Sequence, residues 1–394
     1  MKLDESEYLN SLESYAFAEI DRAKARVEKK FSEEVIDFGV GDPTEPTPSV
    51  AVAKGIEEAV THPEKGYPSY EGEYEFRDAV SSWFKRRFGV KLDPEEEITA
   101  TLGSKQAVFS LPIAYVNPGD TVLIPDPGYP PYTTGTKQRG AKPVFMPLKE
   151  ENNFLPSLDD ISKKQARQAK VMWINYPNNP TTKVAPKEFL KEAVEFCQDN
   201  EILLVSDEAY SEMYYDEGEK PISLFNIDEG RSVGLVFHSL SKRSNMTNYR
   251  IGFVTGRKEL IDPFKRAQTN IHSGQAQILQ WAAIGALSDE EHVEKMRNLY
   301  QEKRKTLIPA LQKTGFLKVY AEGTFYLWAK IPKSFTSFEA VKKLLNEKGI
   351  NATPGSALAH QKKNGEQFLR FALVPSVTKT KNAAERLKSE KIFE

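Results

Sequence analysis

The chain has 394 residues, 54 Lys+Arg against 56 Asp+Glu and a formal net charge of -2, with 39% hydrophobic and 28% charged side chains. That length exceeds one ordinary core and predicts two domains of a soluble globular protein, and the composition argues against a disordered or collagenous chain. The balanced charge offers no cationic field for a nucleic-acid backbone, no apolar run is long enough to span a bilayer, and the acidic start Met1–Glu5 lacks the apolar core of a signal peptide.

In chain order, residues 8–30 place Leu12, Tyr15, Ala16, Glu19, Ile20, Ala23 and Val27 at helical spacing, which predicts one amphipathic helix. A short strand, Val35 to Phe38, breaks at Gly39-Val40-Gly41-Asp42-Pro43, a Gly/Pro loop and candidate boundary. Short apolar runs follow at Thr121 to Ile124, Val171 to Ile174, Ile202 to Val205, Leu235 to Phe237 and Ile251 to Val254. Helical stretches such as Lys105 to Val116 and Pro186 to Gln198 separate most of them. The alternation predicts an α/β fold: a mostly parallel sheet covered on both faces, with sites at the carboxyl ends of its strands. The lone cysteine, Cys197, forms no internal disulfide and fits a reducing cytoplasm. Its apolar-periodic surroundings predict core packing and not a nucleophile. Five scattered histidines give no ligand spacing, so no metal site is expected. Beyond residue 280, a charged helix from Glu290 to Leu311, strands at Phe316 to Tyr320, Thr324 to Ala329 and Phe368 to Leu373, and a helix near Ser337 to Glu347 predict a smaller α+β domain. The expected division is 46–285 for the large domain, with 1–45 and 286–394 forming the small one.

Four segments carry chemistry. Ser239-Leu240-Ser241-Lys242, followed by Arg250, sets hydroxyls and a guanidinium suited to phosphate beside a lysine able to form a Schiff base; a basic solvated turn is the alternative. Asp207-Glu208-Ala209-Tyr210 puts an acid at the end of an apolar strand, where it needs a partner. A pyridinium nitrogen would be one; a metal or a helix cap are others. Asn175-Tyr176-Pro177-Asn178-Asn179-Pro180-Thr181 is a proline-locked turn that aims an Asn side chain, or a plain surface turn. Thr101-Leu102-Gly103-Ser104-Lys105 opens a helix, as a phosphate site or an ordinary N-cap.

Together with Phe38 to Pro43, Gly66-Tyr67-Pro68-Ser69-Tyr70-Glu71-Gly72, Pro127 to Pro130, Gly323 to Tyr326, Pro354-Gly355 and Phe368 to Arg370, these segments occur in the order and approximate spacing of the class I/II aminotransferases of fold type I. The chain resembles that family over nearly its whole length. The resemblance implies pyridoxal 5′-phosphate as cofactor, an amino acid and a 2-oxo acid as substrates, and a homodimer with shared sites. It assigns Lys242 to carry the cofactor and shuttle the proton, Asp207 to pair with the ring nitrogen, and Asn179 and Tyr210 to bond the ring 3′-oxygen. Tyr129 would stack on the ring. Ser104, Lys105, Ser239 and Arg250 would hold the phosphate, with Tyr67 reaching the cofactor phosphate of the neighbouring subunit. Arg370, helped by the backbone near Gly41, would bind the substrate α-carboxylate. Two departures stand out: Thr182 replaces the usual glycine after Asn-Pro-Thr, and Ala359-His360 stands where Phe-Gly is frequent.

Within the family, Leu12 to Ile20, Asp126 to Asn152 and Ser239 to Phe253 are most similar to the diaminopimelate-type enzymes, especially the LL-diaminopimelate aminotransferases of lysine biosynthesis. That likeness implies that Tyr15 and Lys105 contact substrate and that Asn270 serves the neighbouring subunit's site. Packing of one helix face is the alternative for Tyr15. Glu71 and Glu73 are further polar candidates for a charged substrate tail. Aspartate and N-succinyl-diaminopimelate are rival substrates, and β-elimination, decarboxylation or ring-forming chemistry are rival reactions on the same scaffold. A cofactor-sensing regulator would need a DNA-binding domain ahead of the Gly39-Val40-Gly41 loop, and about forty residues leave no room for it.

Overall fold

A computed structural model of the chain describes residues 3–12, 24, 27, 34–64, 66–388 and 391–393. The stretch expected as an N-terminal helix therefore falls largely outside the described residues, Tyr15 included. What is described there is a short helix, Glu7–Asn10, with Lys24 and Val27 in helical conformation.

The first strand, β1 (Ile36–Asp37), is followed by seven that form one sheet: β2 (Ile98–Thr101), β3 (Thr121–Asp126), β4 (Lys142–Pro147), β5 (Ala169–Asn175), β6 (Leu203–Asp207), β7 (Gly234–Ser239) and β8 (Gly252–Gly256). Their order is β2-β8-β7-β6-β5-β3-β4. All pairings are parallel except those of β8, which runs antiparallel to both β7 and β2. The alternation of side chains explains why these runs read as continuously apolar. Met172, Ile174, Leu204 and Val236 point into one core with Phe76, Trp83 and Phe84 of helix Tyr74–Phe88. Val171, Trp173, Val205 and Phe237 point into the other with Leu111 of helix Gly103–Tyr115 and Phe264 of helix Lys258–Gln268. Cys197 is fully buried against Met172, its Sγ 3.7 Å from the thioether sulfur, and burial pushes its thiol pKa up. It is a core residue.

A third core joins helix Glu291–Thr314 to a four-stranded antiparallel sheet. That sheet has the order β12 (Thr353–Pro354), β13 (Phe368–Ala372), β10 (Tyr326–Lys330), β9 (Lys318–Tyr320), and β11 (Ile350–Asn351) pairs in parallel with β1. Helix Ser337–Lys348 starts on a reciprocal cap between Thr336 and Glu339 and stops at Gly349, whose φ of 62° favours glycine. No described helix is long and apolar enough to cross a membrane. The parallel strands end at Asp126, Asn175, Asp207 and Ser239, and the small sheet faces these ends through β10 and β13. That meeting of strand ends and small sheet positions the site.

Candidate active site

β5 and β6 end in register, Asn175 beside Asp207, and Asn175 ties the two ends together. Its amide nitrogen donates to the Asp207 carbonyl (2.8 Å), and its oxygen accepts the Asn179 N–H (3.0 Å). Asn178 closes the turn by accepting from Thr181 N–H and Oγ1. Thr182 then adopts φ 68°, a left-handed conformation costly for a β-branched residue. Its N–H donates to the Asn178 carbonyl, its Oγ1 accepts from Glu322 N–H, and its carbonyl accepts from Gly323 N–H. Three hydrogen bonds thus hold a threonine in a left-handed, glycine-like conformation. At the other departure, the His360 ring stacks on Phe145 with centroids 4.1 Å apart, and the His360 backbone N–H donates to Asp126 Oδ1 (2.6 Å) at the end of β3.

Asp207 is 4% exposed. Tyr132 Oη donates to its Oδ2 (2.7 Å) and the Ala209 N–H to its Oδ1 (3.2 Å). Burial outweighs these bonds and raises the carboxyl pKa above its ordinary value. Across the cavity, Lys242 lies in the turn of helix Leu240–Arg243 that Ser239 caps. Its Nζ donates to the Gly41 carbonyl (2.8 Å). Burial, with help from the charges of Arg370 and Arg250 and against that of Asp42, lowers the amine from 10.5 to about 8.

A corner suited to an anion forms at the start of helix Gly103–Tyr115, whose free N–H groups and positive dipole end lie beside Ser104 and Lys105 of the cavity lining. Gly103 has φ 73°, and a Cβ there would lie 2.7 Å from Arg250 Nη2. Arg250 itself has φ 47° and donates from Nη1 to the Thr247 carbonyl (2.6 Å). The opposite corner belongs to Arg370 on β13, 7% exposed. It donates from Nη1 to Asn179 Oδ1 (2.9 Å) and from Nη2 to the Gly39 carbonyl (3.1 Å). Its guanidinium carbon sits 4.4 Å from the Tyr326 ring centroid.

One cavity of ≈ 740 Å³ gathers Gly41, Ser104, Lys105, Tyr129, Asn179, Asp207, Tyr210, Ser239, Lys242, Arg250 and Arg370. Sequence reasoning gave no role to Asp42, Tyr132, Asn175 and Tyr326, which line it too. Tyr132 carries a signal, lying in the first turn of helix Pro130–Gln138 three residues after its N-cap Tyr129, and Tyr326 ends the Gly323 to Tyr326 segment of the family resemblance. Tyr67 and Asn270 lie away from this cavity: Tyr67 is 90% exposed, and Asn270 is exposed with its amide on the Arg266 carbonyl. Glu71 pairs with Lys265, and Glu73 accepts from Ser69 N–H and Gln277, so neither lines the cavity. Tyr15 is outside the described residues.

Residues 33–387 match the family model for aminotransferase class I and II. The LL-diaminopimelate aminotransferase of Aquifex aeolicus (strain VF5) is 45% identical over 391 residues, covering 98% of this chain and 99% of the relative. That of Halothermothrix orenii (strain H 168) is 42% identical over 391 residues, with 99% of each covered. Among solved structures, substrate-bound BacF from Bacillus subtilis superposes with a TM-score of 0.90 at 32% identity, covering 98% of both chains. Matched over nearly all its length by sequence and by fold, the chain belongs to the class I and II aminotransferases.

Proposed function

We propose that this aminotransferase holds pyridoxal 5′-phosphate on Lys242 and moves an amino group from LL-diaminopimelate to 2-oxoglutarate. The observation that carries the cofactor reading is the pairing, in one cavity, of a buried acid with an amine brought down to about 8. The residues present fit that cofactor. Asp207 has a hydroxyl and an N–H as its hydrogen-bond partners and is left with a raised carboxyl pKa, which a protonated ring nitrogen would relieve. Gly103 leaves room for Arg250 beside the N–H groups at a helix start, which suits a phosphate. When bound, the cofactor supplies an aldehyde for the substrate amine and a ring that spreads the charge left at the α-carbon.

The chain's own residues then have distinct tasks. Asp207 holds the proton on the ring nitrogen. Asn179 and Tyr210 would orient the ring through its 3′-oxygen, and Tyr129 would cover one face. Arg370, already aligned by Asn179 and the Gly39 carbonyl, takes the α-carboxylate as a planar fork. Lys242 Nζ, neutral in a useful fraction near pH 8, moves the proton at the α-carbon. The diaminopimelate reading rests on the named activity of the relatives. It rests also on Lys105 and Asp42, both exposed and of opposite charge, which line the same cavity and suit the carboxylate and ammonium of a zwitterionic tail. Residues 46–285 are taken as the cofactor-holding domain, and 1–45 with 286–394 as the smaller one. A homodimer completes the reading, with Tyr67 and Asn270 each serving the neighbouring cavity.

The test is the specificity constant for LL-diaminopimelate, aspartate and N-succinyl-diaminopimelate with 2-oxoglutarate as acceptor. Diaminopimelate should lead by about tenfold or more, because a site with placed polar partners rejects substrates that leave them unpaired. A preference of that size for aspartate overturns the substrate reading and leaves the aminotransferase intact.

A further inference from the structure

Tyr326 stands where three parts of the cavity meet. It is 3% exposed on β10. Its hydroxyl lies 3.0 Å from that of Tyr210, and its ring lies under the Arg370 guanidinium at 4.4 Å. The register explains the stack: Trp328 faces Arg370 across the β10–β13 pair, so Tyr326, two residues along the same face, is its diagonal neighbour. The third part is Gly41. A Cβ there would come 2.2 Å from Tyr326 Oη, so the loop carrying the Gly41 carbonyl that Lys242 binds lies directly on the phenol. The segment entering β10 is itself fixed. Thr324, at φ 62°, donates its N–H to the Met213 carbonyl and accepts the Tyr326 N–H on Oγ1.

We propose that Tyr326 is a positioning residue with two separable tasks: its ring sets the plane of Arg370 for the substrate carboxylate, and its hydroxyl fixes the direction of the Tyr210 phenol. The inference rests on the roles given above to Arg370 and Tyr210. The first task follows from geometry. Arg370 is held in its plane by Asn179 Oδ1 on Nη1 and by the Gly39 carbonyl and Thr353 Oγ1 on Nη2, and the ring beneath restricts its tilt. The second follows from counting. Each phenol has one proton, and a Tyr326 hydroxyl that donates to Tyr210 leaves the Tyr210 proton for the cavity. A donor held in one direction stabilises a negatively charged oxygen opposite it better than one that rotates.

Two variants separate the tasks. Tyr326→Phe keeps the ring and removes the hydroxyl. Tyr326→Met keeps much of the volume and removes both. In the cofactor-loaded enzyme, affinity for glutarate, an unreactive carboxylate, should stay within about twofold of the parent in Tyr326→Phe. It should fall about tenfold in Tyr326→Met, the size expected for a largely desolvated cation–π contact. The pH midpoint of the bound cofactor's absorbance should move up in both variants, by about half a unit, because a weaker donor stabilises the oxyanion less. Equal glutarate affinity in all three proteins, or an unmoved midpoint in Tyr326→Phe, overturns the inference. If Tyr326→Met does not fold, the midpoint in Tyr326→Phe decides alone. A parent enzyme that takes up no pyridoxal phosphate refutes the underlying functional reading instead, so the two failures are distinguishable.

Discussion

At the scale of single residues, the site is a set of groups displaced from their ordinary chemistry by burial. Lys242 is the sharpest case. Its amine is lowered to about 8, so the neutral nucleophile is abundant at a pH where an exposed lysine is almost wholly charged. Addition of pyridoxal phosphate to the cofactor-free protein should therefore speed up as pH rises and level off above a midpoint near about 8. Stopped-flow absorbance measures this directly, and a rate that stays flat between about pH 7 and about pH 9 is the contrary result. The same shift bears on stability with a definite sign. Between about 8 and 10.5 the unfolded chain holds more protons on this lysine than the folded one, so the folded state gains from Lys242 as pH rises through that window. Residues such as Lys242 and Asp207 were legible in the sequence because each closes an apolar strand or opens the turn after it. Tyr132 and Tyr326 were not assigned roles, because what they do depends on partners 75 and 116 residues away. Local pattern says nothing about such pairs.

At the scale of elements, buried strands declared themselves and edges did not. Five of the seven strands in the large sheet were visible as short apolar runs. The edge strand β4 contains Pro143 and Pro147 and is mostly half-exposed, the pattern a rim tolerates and a central strand does not. β2 is four residues long, Ile98-Thr99-Ala100-Thr101, too short to show a period. The reversed direction of β8 was hidden because a fully buried strand has the same sequence in either orientation. Helix starts were clearer, and the one at Gly103 carries a testable consequence. Gly103→Ala places a Cβ 2.7 Å from Arg250 Nη2 in a backbone region unfavourable to alanine. The strain should cost about 1 kcal/mol of stability. The displaced guanidinium should weaken pyridoxal phosphate binding about tenfold, roughly the loss of one charge-assisted hydrogen bond. Thermal melts and equilibrium cofactor titration give the two numbers, and undiminished affinity would mean that Arg250 does not face the phosphate.

At the scale of the whole molecule, the proposed dimer has a candidate contact surface near residue 67. Tyr67 is 90% exposed, with Tyr70, Tyr74, Ile271 and Ile278 also open to solvent. Gly274 packs against Pro68 and Ser69, so the 66–70 and 271–274 segments share one face. Apolar surface of this kind marks association. The chain should sediment at twice 44.5 kDa. Mixed and reassembled subunits of Tyr67→Ala and Lys242→Ala, each nearly inactive alone, should regain activity, since each hybrid contains one cavity with both residues intact. No recovery in hybrids shown to form would place Tyr67 outside the neighbouring site.

The position of β2 has a consequence for how the chain is made. Its one strand neighbour is β8, through Ile98↔Thr255 to Thr101↔Gly252, and all four of its residues are buried. A ribosome delivers about 150 residues between the two, which at typical synthesis rates takes roughly 8 to 30 s. Through that interval β3, β5, β6 and β7 can assemble while the earlier strand has no strand partner on the growing polypeptide. The nascent chain thus carries an unpaired strand, destined for burial, that its own later strand closes, and it is during this wait that chaperone capture or premature association would find it.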